Sequence, residues 1–478
     1  MILAYFLSMT AIVFAPLLAA LPLRKTELPR PSRWYFGAVS TGIYFIAGHS
    51  LRVPQGIMMA VYLLALTAFA VRAFSLKEFP LTKLSWHTPD RKTSALLAVL
   101  MLLLCAAHVH ILSHPVSPEN WDALAIWYRK TKLLYYWSPL QNTPEANWGQ
   151  NLNYPHLGPM LQMLVLKWTG AFQEEFGRLL IPILYIIWII ALWSLFPLKG
   201  HARGSASHAA YALWLAVVAV AFFDLRPLTS GYQETVLVCL GGMSAFHFCR
   251  IFLNREAPWF ADRTFFETDH FLAFLFAGSL CLVKSEGGIL GAILAASAAA
   301  VYVFSYRQIP LGRKITFLAP YLALFSILFI LWPSLLLING NDIREFQGGA
   351  FSLSRLSGLF SNFDRWPVIA PYFFEYFRHH WDFIAASLIL ASGAAAYVPQ
   401  SRRPLLFLGL AYAGHLAFMP LPYLATADNL HWHLKESFGR LMFQHRFLYV
   451  TILCVAAVFL ADKLQNFNKK QSLQEQAP

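Results

Sequence analysis

The chain is poor in charged residues, and this excludes a soluble protein. Only 13% of its 478 residues are Asp, Glu, Lys or Arg, whereas 58% are hydrophobic. A soluble domain carries about 25% charged residues, so this chain has too few to cover a water-exposed surface. No hydrophilic block is long enough for a separate soluble domain. We therefore expect one all-α, multi-span membrane domain over residues 1–478.

Several catalytic motifs are also absent. The sequence contains no G-x-x-x-x-G-K-[ST] phosphate loop, no G-x-S-x-G elbow and no H-E-x-x-H, so ATP-driven transport and zinc proteolysis have no support. Cysteines are few and odd in number, and no C-x-x-C occurs. Because all five lie in or beside apolar segments, we interpret them as buried small hydrophobic residues.

What the chain does contain is a series of long apolar segments. A membrane-spanning helix needs roughly 20 apolar residues. We predict about thirteen spans, with twelve or fourteen as alternatives because the second and eighth are short. They lie near residues 2–22, 34–49, 54–74, 94–113, 178–197, 208–225, 232–252, 270–284, 287–305, 315–338, 382–398, 404–424 and 446–462.

The basic residues indicate the orientation of these spans. One set of alternate loops holds 22 of the 37 basic residues and 9 of the 24 acidic ones, so it contains the whole net charge of +13. Cytoplasmic loops carry an excess of Lys and Arg. We therefore predict that the N-terminus is outside and that the C-terminal tail, 463–478, is cytoplasmic. The positive charge follows from topology, and we expect no nucleic-acid partner.

The predicted external face carries the polar stretches that are more than connectors. The N-terminal spans, 1–112, lead into a first large external loop, 113–177, which ends in a short apolar helix. The remaining spans and loops occupy 178–462. Three short external stretches follow the first loop, at 226–234, 284–288 and 431–446, and a longer mixed loop covers about 339–380. We expect polar function on this face.

Asp122 is the first candidate catalytic residue. It lies in W-D-A-L-A-I-W-Y-R-K, whose apolar residues have helical spacing. An acid at the start of a helix is favoured by the helix dipole, so a purely structural role is the alternative. The aromatic residues around it are also typical of a membrane interface.

Three further charged residues lie at the ends of predicted spans. Glu234 begins the seventh span, and Lys284 and Glu286 interrupt an otherwise continuous apolar run. An ionisable group at a membrane boundary is costly and indicates function. Lys284 could face a phosphate, oriented by its carboxylate neighbour. The alternatives are a carboxylate among lipid headgroups and a local ion pair in a tight turn.

Arg440 and Arg446 precede the last span. The planar guanidinium of arginine donates two hydrogen bonds at once and therefore suits phosphate and pyrophosphate. The alternative is an amphipathic helix that lies on anionic headgroups. The nearby His431, His433 and His445 follow no standard ligand pattern, so we expect no metal site from them.

Taken together, these stretches resemble the GT-C superfamily of integral-membrane glycosyltransferases. The similarity is greatest to bacterial relatives of the dolichyl-phosphate-mannose protein mannosyltransferases and of the lipid A aminoarabinose transferases. It rests on five short segments in the family's order, between about 117 and 446: W-D-A-L-A-I-W-Y-R-K-T-K, N-Y-P-H-L-G-P, G-Y-Q-E-T, K-S-E-G-G and H-L-K-E-S-F-G-R-L.

The resemblance implies an enzyme, a hexosyl- or pentosyltransferase of the bacterial inner membrane. Its donor would be a polyprenyl-phosphate-linked sugar that enters from the outer leaflet, and its acceptor a hydroxyl of a glycan, lipid or protein at the periplasmic face. The acid that acts on the acceptor would be Asp122. Many relatives have two adjacent acids here, whereas this chain has Ala123. We expect no cofactor, with a divalent cation as the alternative.

The remaining residues take roles around this reaction. We expect Tyr154, His156 and Glu234 to bind the acceptor or the sugar. We expect Lys284, Glu286, Arg440 and Arg446 to bind the donor phosphate. Two other functions fit the composition: an O-antigen ligase or polymerase, and a transporter or lipid flippase. The early position of the large loop argues against the first, and the lack of a two-fold pattern argues against the second.

Overall fold

The protein is helical throughout the residues that its structure describes. The computed structural model describes residues 2–19, 29–75, 91–116, 122–136, 154–195, 214–222, 226–253, 267–338, 362–425 and 429–475. Within these ranges it contains α-helices, short 3₁₀ and π-helical turns, and no strand. The predicted all-α class is therefore confirmed. Parts of the predicted loops 113–177 and 339–380 lie outside the described residues.

Within the described residues, the first part of the chain forms eight α-helices. They are α1 (Ile2–Ala19), α2 (Arg30–Ser50), α3 (Gln55–Ser75), α4 (Arg91–Ser113), α5 (Arg129–Tyr136), α6 (Leu157–Thr169), α7 (Glu174–Arg178) and α8 (Leu180–Trp193). A π-helical stretch, Ala123–Tyr128, runs directly into α5. A further helical segment covers 214–221.

The second part forms ten more. They are α9 (Arg226–Thr229), α10 (Glu234–Leu253), α11 (Thr268–Ser279), α12 (Ser285–Ser305), α13 (Leu311–Ile338), α14 (Trp366–Tyr397), α15 (Arg402–Phe418), α16 (Leu421–Ala425), α17 (Leu430–Phe443) and α18 (Arg446–Glu475). A 3₁₀ turn, Leu280–Leu282, lies between α11 and α12.

Each of the thirteen predicted spans contains helix in its described part. Within the described ranges, seven helical segments are long and apolar enough to cross a membrane, and shorter apolar helices accompany them. The seven are Ser94–Ser113, Glu174–Trp193, Glu234–Leu253, Ser285–Ser305, Leu311–Ile338, Arg402–Leu424 and Leu430–Ala461. These helices support a membrane protein, whereas a total near thirteen spans stays a prediction.

Helix α10 lies at the centre of the bundle. It packs against α8, α11, α15 and α18, and nearly all of its side chains are buried. Small residues allow this close packing: a Cβ on Gly242 would lie 2.3 Å from Nε1 of Trp188. The outer helices differ, because α3, α4 and α13 expose many large apolar side chains, as expected of surfaces that face lipid.

Helix α7 is joined to the bundle by hydrogen bonds from a buried arginine, Arg178. Arg178 is 2% exposed. Its Nη2 donates to the carbonyls of Ile111 and His114, and its Nη1 donates to the carbonyl of Thr229. The short helix predicted at the end of the first loop is α6, which is buried against α1, α2 and α5. The hydrogen bonds of Arg178 hold the end of α4 beside α9.

Gly287 provides a test of how closely the first turn of α12 packs against its neighbours. A Cβ at this position would lie 2.2 Å from the carbonyl oxygen of Leu280 and 2.7 Å from Leu237. The backbone has little room to move, so we expect Gly287→Ala to destabilise the protein by about 1–3 kcal/mol. Gly393→Ala is the matched control, because nothing lies within 4 Å of its Cβ. Thermal unfolding of the purified protein in detergent measures both, and equal melting temperatures would contradict this packing.

Candidate functional site

Five charged side chains from distant parts of the chain meet at the ends of four helical segments. They form the charged cluster, which consists of Asp122, Glu234, Lys284, Glu286 and Arg440. Asp122 and Arg440 are 318 residues apart in sequence, and Glu234 and Lys284 are 50 residues apart. The fold therefore brings all four polar stretches singled out in the sequence into contact.

Helix ends favour the positions of three of the five charges, Glu234, Glu286 and Arg440. Glu234 is the first residue of α10, and Glu286 lies in the first turn of α12. Arg440 lies in the last turn of α17. Carboxylates are stabilised near the N-terminus of a helix and cations near the C-terminus, because the helix dipole has the opposite partial charge there. Each of these three charges is therefore stabilised by the helix that carries it, independently of its contacts with other helices.

Lys284 joins two carboxylates at the start of α12. Its Nζ lies 3.0 Å from Oε1 of Glu234 and 3.3 Å from Oε1 of Glu286. The side chains of Lys284 and Glu234 are only 10% and 2% exposed. Isolated charges buried to this degree are very costly, and they persist only when they are paired and hydrogen-bonded. Each group of this trio therefore depends on the others.

Asp122 and Arg440 form the second part of the charged cluster. Nη1 of Arg440 donates to Oδ2 of Asp122, and both side chains remain about a quarter exposed. Nε of Arg440 donates to the backbone carbonyl of Glu436. The guanidinium also stands 5.0 Å from the ring centroid of Tyr232, in the geometry of a cation–π contact. Asp122 is thus held by an arginine that is itself fixed on two sides.

Tyr154 contributes a neutral hydroxyl to the charged cluster. Burial, with a smaller contribution from Glu286, raises the pKa of Tyr154 to about 12. Lys284, Asp122 and Glu234 also act on this hydroxyl electrostatically. Because its pKa is this high, the phenol stays protonated at neutral pH and can donate a hydrogen bond.

The cluster retains hydrogen-bonding capacity for a bound molecule. Lys284 has three N–H groups, and its contacts with Glu234 and Glu286 use two of them. Arg440 has five, and those on Nη2 make no contact among the described residues. Oε2 of Glu234 and Oε2 of Glu286 are buried and have no hydrogen-bond partner there. Buried polar atoms are normally satisfied, so a ligand with both acceptors and hydroxyl donors fits this site.

Ala123 directly follows Asp122 and begins the π-helical stretch. Its side chain is fully buried, in a small apolar group with Val116 and Tyr128. Gly231 turns beside this group with a φ of +84°, and a Cβ there would lie 2.6 Å from the hydroxyl of Tyr128. An acid at position 123 would be buried among apolar side chains, so Asp122 is the carboxylate that the described part of this segment presents to the cluster.

Two of the predicted site residues make other contacts. His156 is buried at the start of α6, with its ring 4.6 Å from that of Trp332. Burial lowers the pKa of His156 well below its usual range, and Lys130 adds to this effect, so the imidazole is neutral. Arg446 is buried at the start of α18, where its guanidinium stands 4.4 Å from the ring of Phe443 and contacts the carbonyl of Ala221. These contacts of Arg446 differ from those that join Arg440 to Asp122.

Two residues near the cluster were missed in the sequence. Tyr232 belongs to the G-Y-Q-E-T segment but was not singled out. Lys130 lies within a basic stretch that suggests a solvated surface, yet it is 3% exposed. A helical-spacing signal was present, because Lys130 follows Ile126 by four residues and precedes Leu134 by four. Both neighbours are apolar and buried.

No family model, curated protein or solved structure matches the chain. Among the described residues, no group of three or more His, Cys, Asp or Glu side chains is arranged to hold a metal ion. The expectation of a reaction without a metal stays a prediction.

The trio around Lys284 can be tested by stability. Lys284→Met removes the cation and leaves Glu234 buried without its partner, so we expect a loss of about 3–5 kcal/mol in the free energy of unfolding. Adding Glu234→Gln should restore part of that loss, because the uncompensated charge is then gone. Lys435→Met, at an exposed position on α17, is the control and should leave stability unchanged. A double variant no more stable than Lys284→Met would contradict the pairing.

Proposed function

We propose that this protein is a membrane glycosyltransferase of the GT-C type. It moves a sugar from a polyprenyl-phosphate-linked donor to an acceptor hydroxyl. The observation that carries the proposal is the charged cluster, in which Asp122 of the first loop pairs with Arg440, and Arg440 interacts electrostatically with Glu234, the partner of Lys284. A phosphate leaving group and an acceptor hydroxyl need these opposite charges side by side.

The proposed topology has about thirteen spans in the bacterial inner membrane. The loop 113–177 and the cluster face the periplasm, the N-terminus is outside and the C-terminus is cytoplasmic. The charge asymmetry of the loops supports this orientation. The apolar helices support the membrane location. The donor then reaches the site from the outer leaflet.

The donor phosphate binds to the cations of the cluster. As the bond between the anomeric carbon and the phosphate oxygen breaks, its electron pair leaves with the phosphate. The remaining N–H group of Lys284 and the Nη2 group of Arg440 stabilise this negative charge. Such electrostatic stabilisation is usually the largest single contribution to catalysis. A planar guanidinium is well suited to a phosphate because it donates two parallel hydrogen bonds.

The acceptor hydroxyl loses its proton to Asp122. The ion pair to Arg440 uses Oδ2, and Oδ1 is the second acceptor atom of the carboxylate. As the acceptor oxygen attacks the anomeric carbon, its proton passes to Asp122, a step that typically contributes 10²–10⁴-fold. The unpartnered oxygens of Glu234 and Glu286 accept hydrogen bonds from hydroxyls of the sugar or acceptor. A single displacement inverts the anomeric configuration.

Asp122→Asn tests the role of the base. The amide keeps the size of the side chain but cannot take the proton, so we expect transfer to fall by at least about 10²-fold. Folding should be retained, which the elution profile and melting temperature in detergent would show. The measurement is the initial rate of glycan transfer in membranes of a strain that carries only the variant.

Asp364→Asn is the matched control for that variant. Asp364 is an exposed acid in the turn before α14, and its variant should transfer at the wild-type rate. If Asp122→Asn also transferred at the wild-type rate, Asp122 would not be the base. An equal loss in both variants would trace the defect to the protein's expression or surface charge.

The class of reaction is tested in a strain that lacks the protein. Mass spectrometry of its envelope glycans and lipid-linked sugars should show one sugar missing from an acceptor and the corresponding polyprenyl-phosphate-sugar accumulated. Accumulation of a polyprenyl-pyrophosphate-linked oligosaccharide instead would identify a ligase or polymerase. Unchanged glycans with an altered distribution of a lipid between the leaflets would identify a flippase.

A further inference from the structure

Lys130 is a buried lysine behind the charged cluster. Its side chain is 3% exposed, which is unusual for a residue type that is almost never fully buried without a partner. It lies at the start of α5, in the segment that follows Asp122. Burial lowers the pKa of Lys130 well below its usual range. Burying a lysine costs desolvation free energy, and a buried lysine cannot contribute to solubility. A role inside the protein is therefore expected.

The contacts of Lys130 centre on Tyr154. Its Nζ donates to the backbone carbonyl of Tyr154 at 2.8 Å. The same Nζ stands 5.3 Å from the ring centroid of Tyr154 and 5.5 Å from that of Trp127. The two aromatic rings also contact each other, at 5.7 Å between centroids. Lys130 therefore holds Tyr154 at both its backbone and its ring.

The other end of Tyr154 faces the charged cluster. The hydroxyl lies within the electrostatic influence of Glu286, Lys284 and Asp122, whereas Lys130 contacts the carbonyl and the ring. A ring that is fixed by a hydrogen bond at its backbone and by Nζ of Lys130 beside its face has little freedom to rotate. The direction in which its hydroxyl points is then set by Lys130.

We propose that Lys130 is a positioning residue that acts through Tyr154, which it holds so that the hydroxyl donates a hydrogen bond to the sugar being transferred. The inference rests on the proposed function, since it assigns Tyr154 to a substrate in the same site. Tyr154 is a suitable donor because its hydroxyl is protonated and interacts electrostatically with Glu286 and Glu234. Oε2 of each of these carboxylates has no partner among the described residues and accepts from other hydroxyls of the sugar. Lys130 itself does not touch the substrate.

A double-mutant cycle tests this inference. Tyr154→Phe removes the hydroxyl, and Lys130→Met keeps an unbranched side chain one atom shorter but removes the N–H groups. The net contribution of one hydrogen bond corresponds to roughly a 3- to 15-fold change in rate, and we expect each variant to lose transfer within that range. The double variant should lose no more than the worse single variant, because Lys130 acts only through the hydroxyl. The readout is the initial rate of glycan transfer in membranes.

Two further variants separate positioning from folding. Lys132→Met changes an exposed lysine two residues away and should transfer at the wild-type rate. Lys130→Gln keeps an N–H donor for the carbonyl of Tyr154 and should recover part of the activity that Lys130→Met loses. If Lys130→Met does not fold, Lys130→Gln takes its place in the cycle with Tyr154→Phe.

The outcomes distinguish a failure of the proposed function from a failure of the role of Lys130. No transfer by the wild-type protein would overturn the proposed function, and this inference with it. Wild-type transfer together with full activity of Lys130→Met would overturn only the role of Lys130. Losses that multiply in the double variant would also overturn it, because they would show that Lys130 and Tyr154 act independently.

Discussion

The architecture around the site depends on the cost of burying charge. Lys284 and Glu234 are almost completely removed from solvent, and neither could remain ionised there alone. Their pairing requires the N-terminus of α10 and the start of α12 to lie side by side. Arg440 and Asp122 join the same cluster from the opposite ends of the chain. These five charges thus fix the relative positions of four segments that are far apart in the sequence.

The same constraint would serve the proposed reaction. In that proposal the cations are already oriented when the substrate binds, so their charge is available without reorganisation as the leaving group becomes negative. The cluster contains three carboxylates and two cations, so it is not simply an anion site. Its free carboxylate oxygens require hydrogen-bond donors, and a polyhydroxylated substrate supplies them. A sugar phosphate combines both kinds of group in one molecule.

The fold class and the candidate positions followed from the sequence, whereas their contacts did not. Apolar segments and the scarcity of charge predicted the helices because lipid imposes both. The stretches at Asp122, Glu234 and Lys284 were identified as polar interruptions of that pattern. Their pairing could not be predicted, because it depends on how helices pack. In the sequence, Arg446 is equivalent to Arg440. The two residues are six positions apart and belong to successive helices, so their guanidinium groups have different surroundings.

The central claim is that the charged cluster binds the phosphate of a lipid-linked sugar. Its most direct test is a cryo-electron microscopy structure of the protein in a lipid nanodisc with polyprenyl phosphate. The account predicts density for the phosphate within hydrogen-bond distance of Nζ of Lys284 and of the guanidinium of Arg440. Phosphate density bound elsewhere on the protein, with the charged cluster unchanged and empty, would contradict it.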